Sequence, residues 1–300
     1  MTQQSLSPRA WSELFLLAAI WGGIFLAARL ALDEIGPLWA VAQRTFWAMI
    51  VLWGAVIAMR LPVTLTPRAA IGFLGMGLLN NLIPFGLLNW SQLHIESGLA
   101  SIFNASTAIF GVVVAALLLP DERLGMRKAA GVLIGFAGVV TAIGLSNLGG
   151  LDPRNLAQWA AVLATLSYAF AGVWARRMLA GHPPQVAAAG MLTASAAMAL
   201  PLAFWAEGPP RLALTLTTWG AIAYMAVVGT ALAYLLYYRV LAMAGSGNLM
   251  LVTLLIPPFA IALGALVLGE SLPPRALTGF GLLALGLLII NGRALRRRHH

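Results

Sequence analysis

The residues with chemistry to offer stand in the middle of apolar runs. Trp21, Arg44, Asn80, Asn81, Asn104, Thr107, Tyr168, Thr230 and Tyr234 each interrupt a stretch rich in Leu, Ala, Val and Gly. They supply amide, hydroxyl, phenol and indole groups and one guanidinium. Such groups bind a small molecule rather than break its bonds: amides and hydroxyls take a polar part, aromatic faces an apolar or cationic part. Tyr234 and Tyr238 are four apart and share a helix face. Other readings compete. Asn80 and Asn81 also suit hydrogen bonding between packed helices. Arg44 sits about two turns inside its run and could snorkel to the nearer interface. Tyr237 and Tyr238 fall near a run's end, so an interface belt is expected for them, as for Trp39 and Trp90.

Catalysis finds no support. There is one lysine, Lys128, and no G-x-x-x-x-G-K-[ST], H-E-x-x-H, G-x-S-G or paired-aspartate motif. Cysteine is absent, which removes disulfides and thiolate metal sites. No enzyme activity, cofactor or metal is expected. The nine acids (Glu13, Asp33, Glu34, Glu96, Asp121, Glu122, Asp152, Glu207, Glu270) all fall at the ends of apolar runs or between them. Glu122 and Glu270 are expected to fix loops through backbone N–H groups or nearby arginines.

These residues need a scaffold of membrane helices. Of 300 residues, 61% are hydrophobic and 9% charged, against about 25% charged in soluble domains. Ten apolar runs lie near 11–31, 38–59, 68–90, 98–119, 124–144, 156–179, 184–205, 215–241, 247–268 and 274–292. Each is about the 20 residues that cross a hydrocarbon core of about 30 Å. The run after Trp11 is too long for a cleavable signal and lacks an A-x-A-like site. The net charge is +9, but the basic residues alternate with apolar spans, so no nucleic-acid partner is expected.

The chain reads as one unit used twice. A shift of 148 aligns Glu122 with Glu270, Arg127 with Arg275, Gly131 with Gly279 and Gly138 with Gly286. A shift of 149 aligns Ser97-Gly98 with Ser246-Gly247. Residues 1–145 form the first five-helix repeat, 146–155 a polar linker, and 156–293 the second repeat. Residues 294–300 form a basic tail whose final His299-His300 resembles the stub of a purification tag. Counting from a cytoplasmic N-terminus puts thirteen Lys and Arg on the inside and four outside, with Arg44 within a span. Both ends are then cytoplasmic. Five spans is an odd number, so the second repeat enters the membrane inverted, a pattern of secondary transporters. The predicted fold is an all-α membrane protein of ten transmembrane helices in two inverted five-helix repeats.

Trp21-Gly22, Arg44, Pro257 followed by Gly264 and Glu270, then Gly279 and Gly286, resemble the EamA family of the drug/metabolite transporter superfamily over nearly the whole chain. Within it the chain is most like bacterial exporters of aromatic amino acids and of methyl viologen. The resemblance implies a multi-pass inner-membrane carrier of small metabolites. It also implies a cavity walled by spans one to four and six to nine, with Arg44 facing it to meet a carboxylate. Proton-driven carriers usually hold a carboxylate or histidine inside the bundle, and here His94 and His182 also lie near span ends. Facilitated diffusion, or a less obvious coupling, is therefore expected over a midplane proton relay.

Export of aromatic or apolar amino acids and related compounds by alternating access is the expected function. Pro84, Pro201 and Pro257-Pro258 are candidate pivots; Ala108 and Ile109 replace the proline pair in the first repeat, so that hinge is one-sided. Gly131-x-x-x-Gly135, Ala260-x-x-x-Gly264 and Ala265-x-x-x-Gly269 allow close helix approach. They are expected to join the halves of a monomer rather than form a dimer face. A water-filled channel is one alternative, opposed by the apolar seventh span. A phosphorylated-sugar or nucleotide-sugar exchanger is another, opposed by the lone arginine within the spans. The partners expected are a small-molecule substrate and the lipid bilayer.

Overall fold

Prolines start most of the helices. A computed structural model describes residues 7–120, 125–144, 153–249 and 251–291, except the side chains at 153, 244–248 and 291. Ten helical segments follow one another: α1 Pro8–Ala31, α2 Pro37–Ala58, α3 Pro67–Ser91, α4 Ser97–Leu118, α5 Met126–Ile143, α6 Pro153–Met178, α7 Pro184–Glu207, α8 216–249, α9 Val252–Leu268 and α10 Pro274–Asn291. Proline suits a first turn because the N–H it lacks has no intrahelical acceptor there. Ser7, Thr66 and Thr215 cap α1, α3 and α8 through side-chain oxygens. Gly144, Gly208 and Gly269 end α5, α7 and α9 at positive φ. The described residues contain no strand. Helices α1 to α8 are long and apolar enough to cross a membrane, and α9 and α10 are shorter apolar helices.

Two helices widen at matching places. In α3 residues Gly77–Leu82 form a π-helical segment, and in α8 Tyr224–Leu232 do. Pro84 cannot donate to the carbonyl of Asn80 one turn back. The Thr230 hydroxyl donates to the Met225 carbonyl five residues back, at 2.7 Å. Helix α4 breaks at Ser106. The hydroxyls of Ser106 and Thr107 donate to the carbonyls of Phe103 and Asn104, both at 2.7 Å, satisfying groups that a lipid environment would leave bare.

The contacts come in mirrored pairs. Helix α1 packs on α9 and α6 on α4; α3 packs on α6 and α7, and α8 on α1 and α2. Helix α2 pairs with α7, and α5 with α10. A Cβ added at Gly131 would meet the Gly286 carbonyl at 2.6 Å, and one at Gly279 the Gly138 carbonyl at 2.6 Å. These are the glycines that the repeat equates, and their pairing makes α5 and α10 run antiparallel. The glycine seam is thus occupied within the chain. Gly22 lets α1 close on Phe259 and Ala260 of α9. Gly269 is different: it is a left-handed cap with open space around it, not a packing position.

Two boundaries differ from the sequence expectation. Helix α8 continues through Gly245-Ser246-Gly247 to Leu249, and α9 starts only at Val252. Pro257 and Pro258 lie inside α9 without ending it. Glu122, residues 145–152 of the linker region and the tail 292–300 lie outside the described residues.

Candidate functional site

A cavity of about 610 Å³ runs between the two repeats. Its wall draws on α1 to α4 and α6 to α9, and on neither α5 nor α10. Trp21, Arg44, Asn80, Asn104, Thr107, Tyr168 and Tyr234 all line it. Asn81 and Thr230 do not. One residue beyond Asn80 on the same π segment, Asn81 turns into the protein and is fully buried, its amide without a partner among the described residues. Thr230 is buried and reaches the site only through Arg44.

Each π segment supplies one polar anchor to the site, Asn80 on the wall and Thr230 behind it. Asn80 donates to the Tyr234 hydroxyl at 3.3 Å and approaches the Met191 sulfur at 3.7 Å. The Arg44 Nε donates to Thr230 Oγ1 at 2.8 Å, and the guanidinium lies 3.8 Å above the Phe85 ring. Its two terminal nitrogens have no hydrogen-bond partner among the described residues, nor have the side chains of Trp21, Asn104 and Tyr168. No carboxylate stands among the described lining residues. Tyr237 and Tyr238, expected at the interface belt, instead line the cavity. Ring centroids lie 5.8 Å apart for Trp21–Tyr237, 5.4 Å for Tyr237–Tyr238 and 6.5 Å for Tyr234–Tyr238, which makes a continuous aromatic wall. Their spacing with Leu241, at i, i+3, i+4 and i+7 from Tyr234, was the sequence signal of one helix face.

The cavity is open at one end and sealed at the other. Arg176, Ala180 and Pro184 line it and are exposed. Asn89 and Gln92 line the opposite end and are buried, at 6% and 3%. Neither is among the sequence candidates, because both fall at the end of an apolar run. At the sealed end four carboxylates bridge the repeats. Glu207 accepts from the N–H groups of Leu38 and Trp39 at 2.8 and 3.0 Å. Glu270 accepts from the Ser97 N–H, the Ser97 hydroxyl and the Gly98 N–H at 2.9, 2.7 and 3.2 Å. Glu34 accepts from the Thr215 N–H at 2.9 Å. Arg154 donates to both oxygens of Glu96 at 3.0 and 2.9 Å. The Thr215 N–H holds the Glu34 carboxyl below its ordinary pKa. Helix N-termini favour such anions. Trp39, expected as a belt anchor, is instead buried here, its indole donating to the Gly208 carbonyl at 3.1 Å.

At the open end arginines bridge the repeats. Arg68 donates to the Arg177 carbonyl at 2.9 Å, and Arg177 to the Leu118 carbonyl. Arg239 pairs with Glu13 at 2.6 Å.

Comparison with known proteins agrees with this architecture. Residues 11–144 and 155–292 each match the EamA-like transporter family. A "Probable terminal-alkyne amino-acid exporter" of Streptantibioticus cattleyicolor is 27% identical, covering 98% of this chain and 96% of its own. A "Probable amino-acid metabolite efflux pump" of Salmonella typhimurium is 26% identical over 91% of this chain and 92% of its own. An "Uncharacterized transporter" of Archaeoglobus fulgidus is 24% identical over 94% and 98%. One solved crystal structure superposes with a TM-score of 0.68 at 20% identity, over 96% of this chain and 99% of that one, a likeness of fold.

Proposed function

The chain belongs to the EamA-like transporter family, and from that premise we propose that it is a ten-span inner-membrane carrier exporting small organic metabolites by alternating access. Aromatic and apolar amino acids and related compounds are the substrate class. The observation that carries the reading is a cavity walled by both repeats, sealed at one end and open at the other. A sealed end argues for a carrier over a channel. The antiparallel α5–α10 pair supports inverted insertion of the repeats, and its occupied glycine seam supports a monomer. The positive-inside count supports a cytoplasmic location for both termini and for the open mouth beside Arg176, where an exporter loads. Relatives named for amino-acid export support the substrate class.

Motion would rock the two four-helix walls about Pro84, Pro201 and the Pro257-Pro258 pair, with the π segments giving at the same depth. A cavity wall without a carboxylate favours facilitated diffusion. Counterflow in liposomes, with labelled amino acids, tests both points. Saturable exchange that survives collapse of the proton gradient is expected. Non-saturating flux points instead to a channel, and strict dependence on an imposed gradient defeats the facilitator reading. Trp21→Ala should cut transport with the folded yield intact.

A further inference from the structure

Gly172 and Gly229 are the glycines of the described cavity wall. Glycine is a poor helix former, and inside a helix it usually makes room for a neighbour. Gly229 does so: a Cβ there would meet Ile24 of α1 at 2.6 Å. Gly172 does not. It is exposed in the middle of α6, and a Cβ there would meet nothing within 4 Å. Its missing side chain leaves open passage rather than a contact. The repeat shows what stands at the equivalent place. A shift of 147 aligns Trp21 with Tyr168, Ala28 with Ala175, Arg29 with Arg176 and Leu32 with Leu179, and it puts Phe25 on Gly172. Trp21, Phe25 and Ala28 line the cavity from α1, as Tyr168, Gly172 and Ala175 do from α6.

The two helices run in opposite directions. Helix α1 ends close to Glu34, at the sealed end, so Phe25 lies one turn past Trp21 toward the seal, and it is buried at 7%. Helix α6 ends close to Arg176 and Ala180, at the mouth, so Gly172 lies one turn past Tyr168 toward the opening. One position of the repeat thus holds a ring at the closed end and no side chain at the open end. We propose that this position sets the width of the cavity: Phe25 narrows the outer end, and the bare face of Gly172 fixes the girth of a compound that can enter from the mouth. Neither residue carries a polar group to hold a ligand, so the assignment concerns admission by size and not affinity. It rests on the carrier reading above for its physiological meaning alone.

Thiol labelling of the full chain in nanodiscs provides the test, because the chain has no native cysteine. Asn80→Cys and Ala28→Cys report two depths. Trp174 donates to the Gly72 carbonyl and Ser167 to the Leu79 carbonyl, so Asn80 lies deeper than Gly172. Ala28 lies one turn past Phe25. Methyl and benzyl methanethiosulfonate are the probes, both uncharged, so that Arg44 and Arg176 do not bias them. In Gly172→Phe the benzyl-to-methyl rate ratio at Asn80→Cys should fall about tenfold or more, because the ring fills the passage. Gly172→Ala should leave the ratio nearly unchanged. In Phe25→Ala the ratio at Ala28→Cys should rise by about as much. The methyl rate is the internal standard, since its persistence shows that the cavity has kept its form. A ratio at Asn80→Cys unmoved by Gly172→Phe, an equal loss of both reagents, or a ratio at Ala28→Cys unmoved by Phe25→Ala overturns the proposal. Liposome counterflow keeps the two readings apart: non-saturating flux contradicts the carrier and leaves the assignment of Phe25 and Gly172 standing.

Discussion

The repeats are bridged differently at the two ends of the bundle, although each end carries one Arg–Glu pair. At the sealed end carboxylates bind the N-terminal N–H groups of α2, α4 and α8, where the helix dipole adds to the bond. At the open end arginines reach backbone carbonyls of α4 and α6. The α2–α7 pair shows how the repeat's symmetry was broken. The helices run antiparallel, with Leu38 beside Glu207 and Trp53 beside Thr193. In that register the C-terminal end of α2, Met59-Arg60, falls next to the first turn of α7. Among the described residues the lock formed by Glu207 therefore has no carboxylate counterpart at the first turn of α7. The comparison teaches that within the α2–α7 pair the acid lock is set by which helix N-terminus finds an acid, and not by the repeat itself.

The largest expected effect comes from the seam that both ends share. A Cβ at Gly279 would meet the Gly138 carbonyl and the Ala142 nitrogen, at 2.6 and 2.7 Å, and backbone cannot step aside. Gly279→Val should cost about 3 kcal/mol or more and abolish monodisperse protein. Gly281→Ala, facing open space, should leave the yield unchanged. Next come the locks. Glu270 accepts three hydrogen bonds and Glu207 two, each worth about 1.5–3 kcal/mol when charged. Labelling of a Gln92→Cys variant from the outside should rise about tenfold or more in Glu270→Ala, and less in Glu207→Ala. The chain has no native cysteine, so the readout is clean.

A smaller effect sharpens the contrast from the other side. Met59→Glu would give α7 the acid it lacks, worth about 1 kcal/mol at a helix N-terminus. Labelling of Ala180→Cys from the inside should fall about fivefold. The smallest effect is at Glu34, whose pKa lies below its ordinary 4.5 because Thr215 favours the anion. A depressed pKa stabilises the seal above the ordinary value and loses that contribution as pH falls through the lower one. Its share of outer labelling should be flat at every pH above 4.5 and grow only below it; Glu34→Gln should shrink that acid-side rise.

Much of this was legible in the sequence. The equated glycines mark the seam of α5 and α10, and seven of the nine candidate binding residues line the cavity. What the sequence hid has local causes. Depth reckoned from a span ending near 241 puts Tyr237 and Tyr238 at an interface, whereas α8 runs on to Leu249 and keeps them inside. Asn80 and Asn81 are equal in composition and depth; only their direction around α3 sends one to the cavity and the other into the protein. Thr230 could not be read as a support for Arg44, because that contact joins residues 186 apart through a π segment. Asn89 and Gln92 looked like the end of a span because nothing local shows the seal above them.

A carrier cavity should open to one side at a time. Single cysteines at Gln92 and at Ala180, labelled from each side of oriented vesicles, test it in the native background and in Glu207→Ala/Glu270→Ala. A reciprocal exchange is expected: Ala180→Cys alone reacts, from the inside, in the native background, and in the double variant Gln92→Cys becomes reactive from outside as Ala180→Cys loses reactivity. Both positions reacting at once, or Gln92→Cys opening while Ala180→Cys stays unchanged, would contradict it.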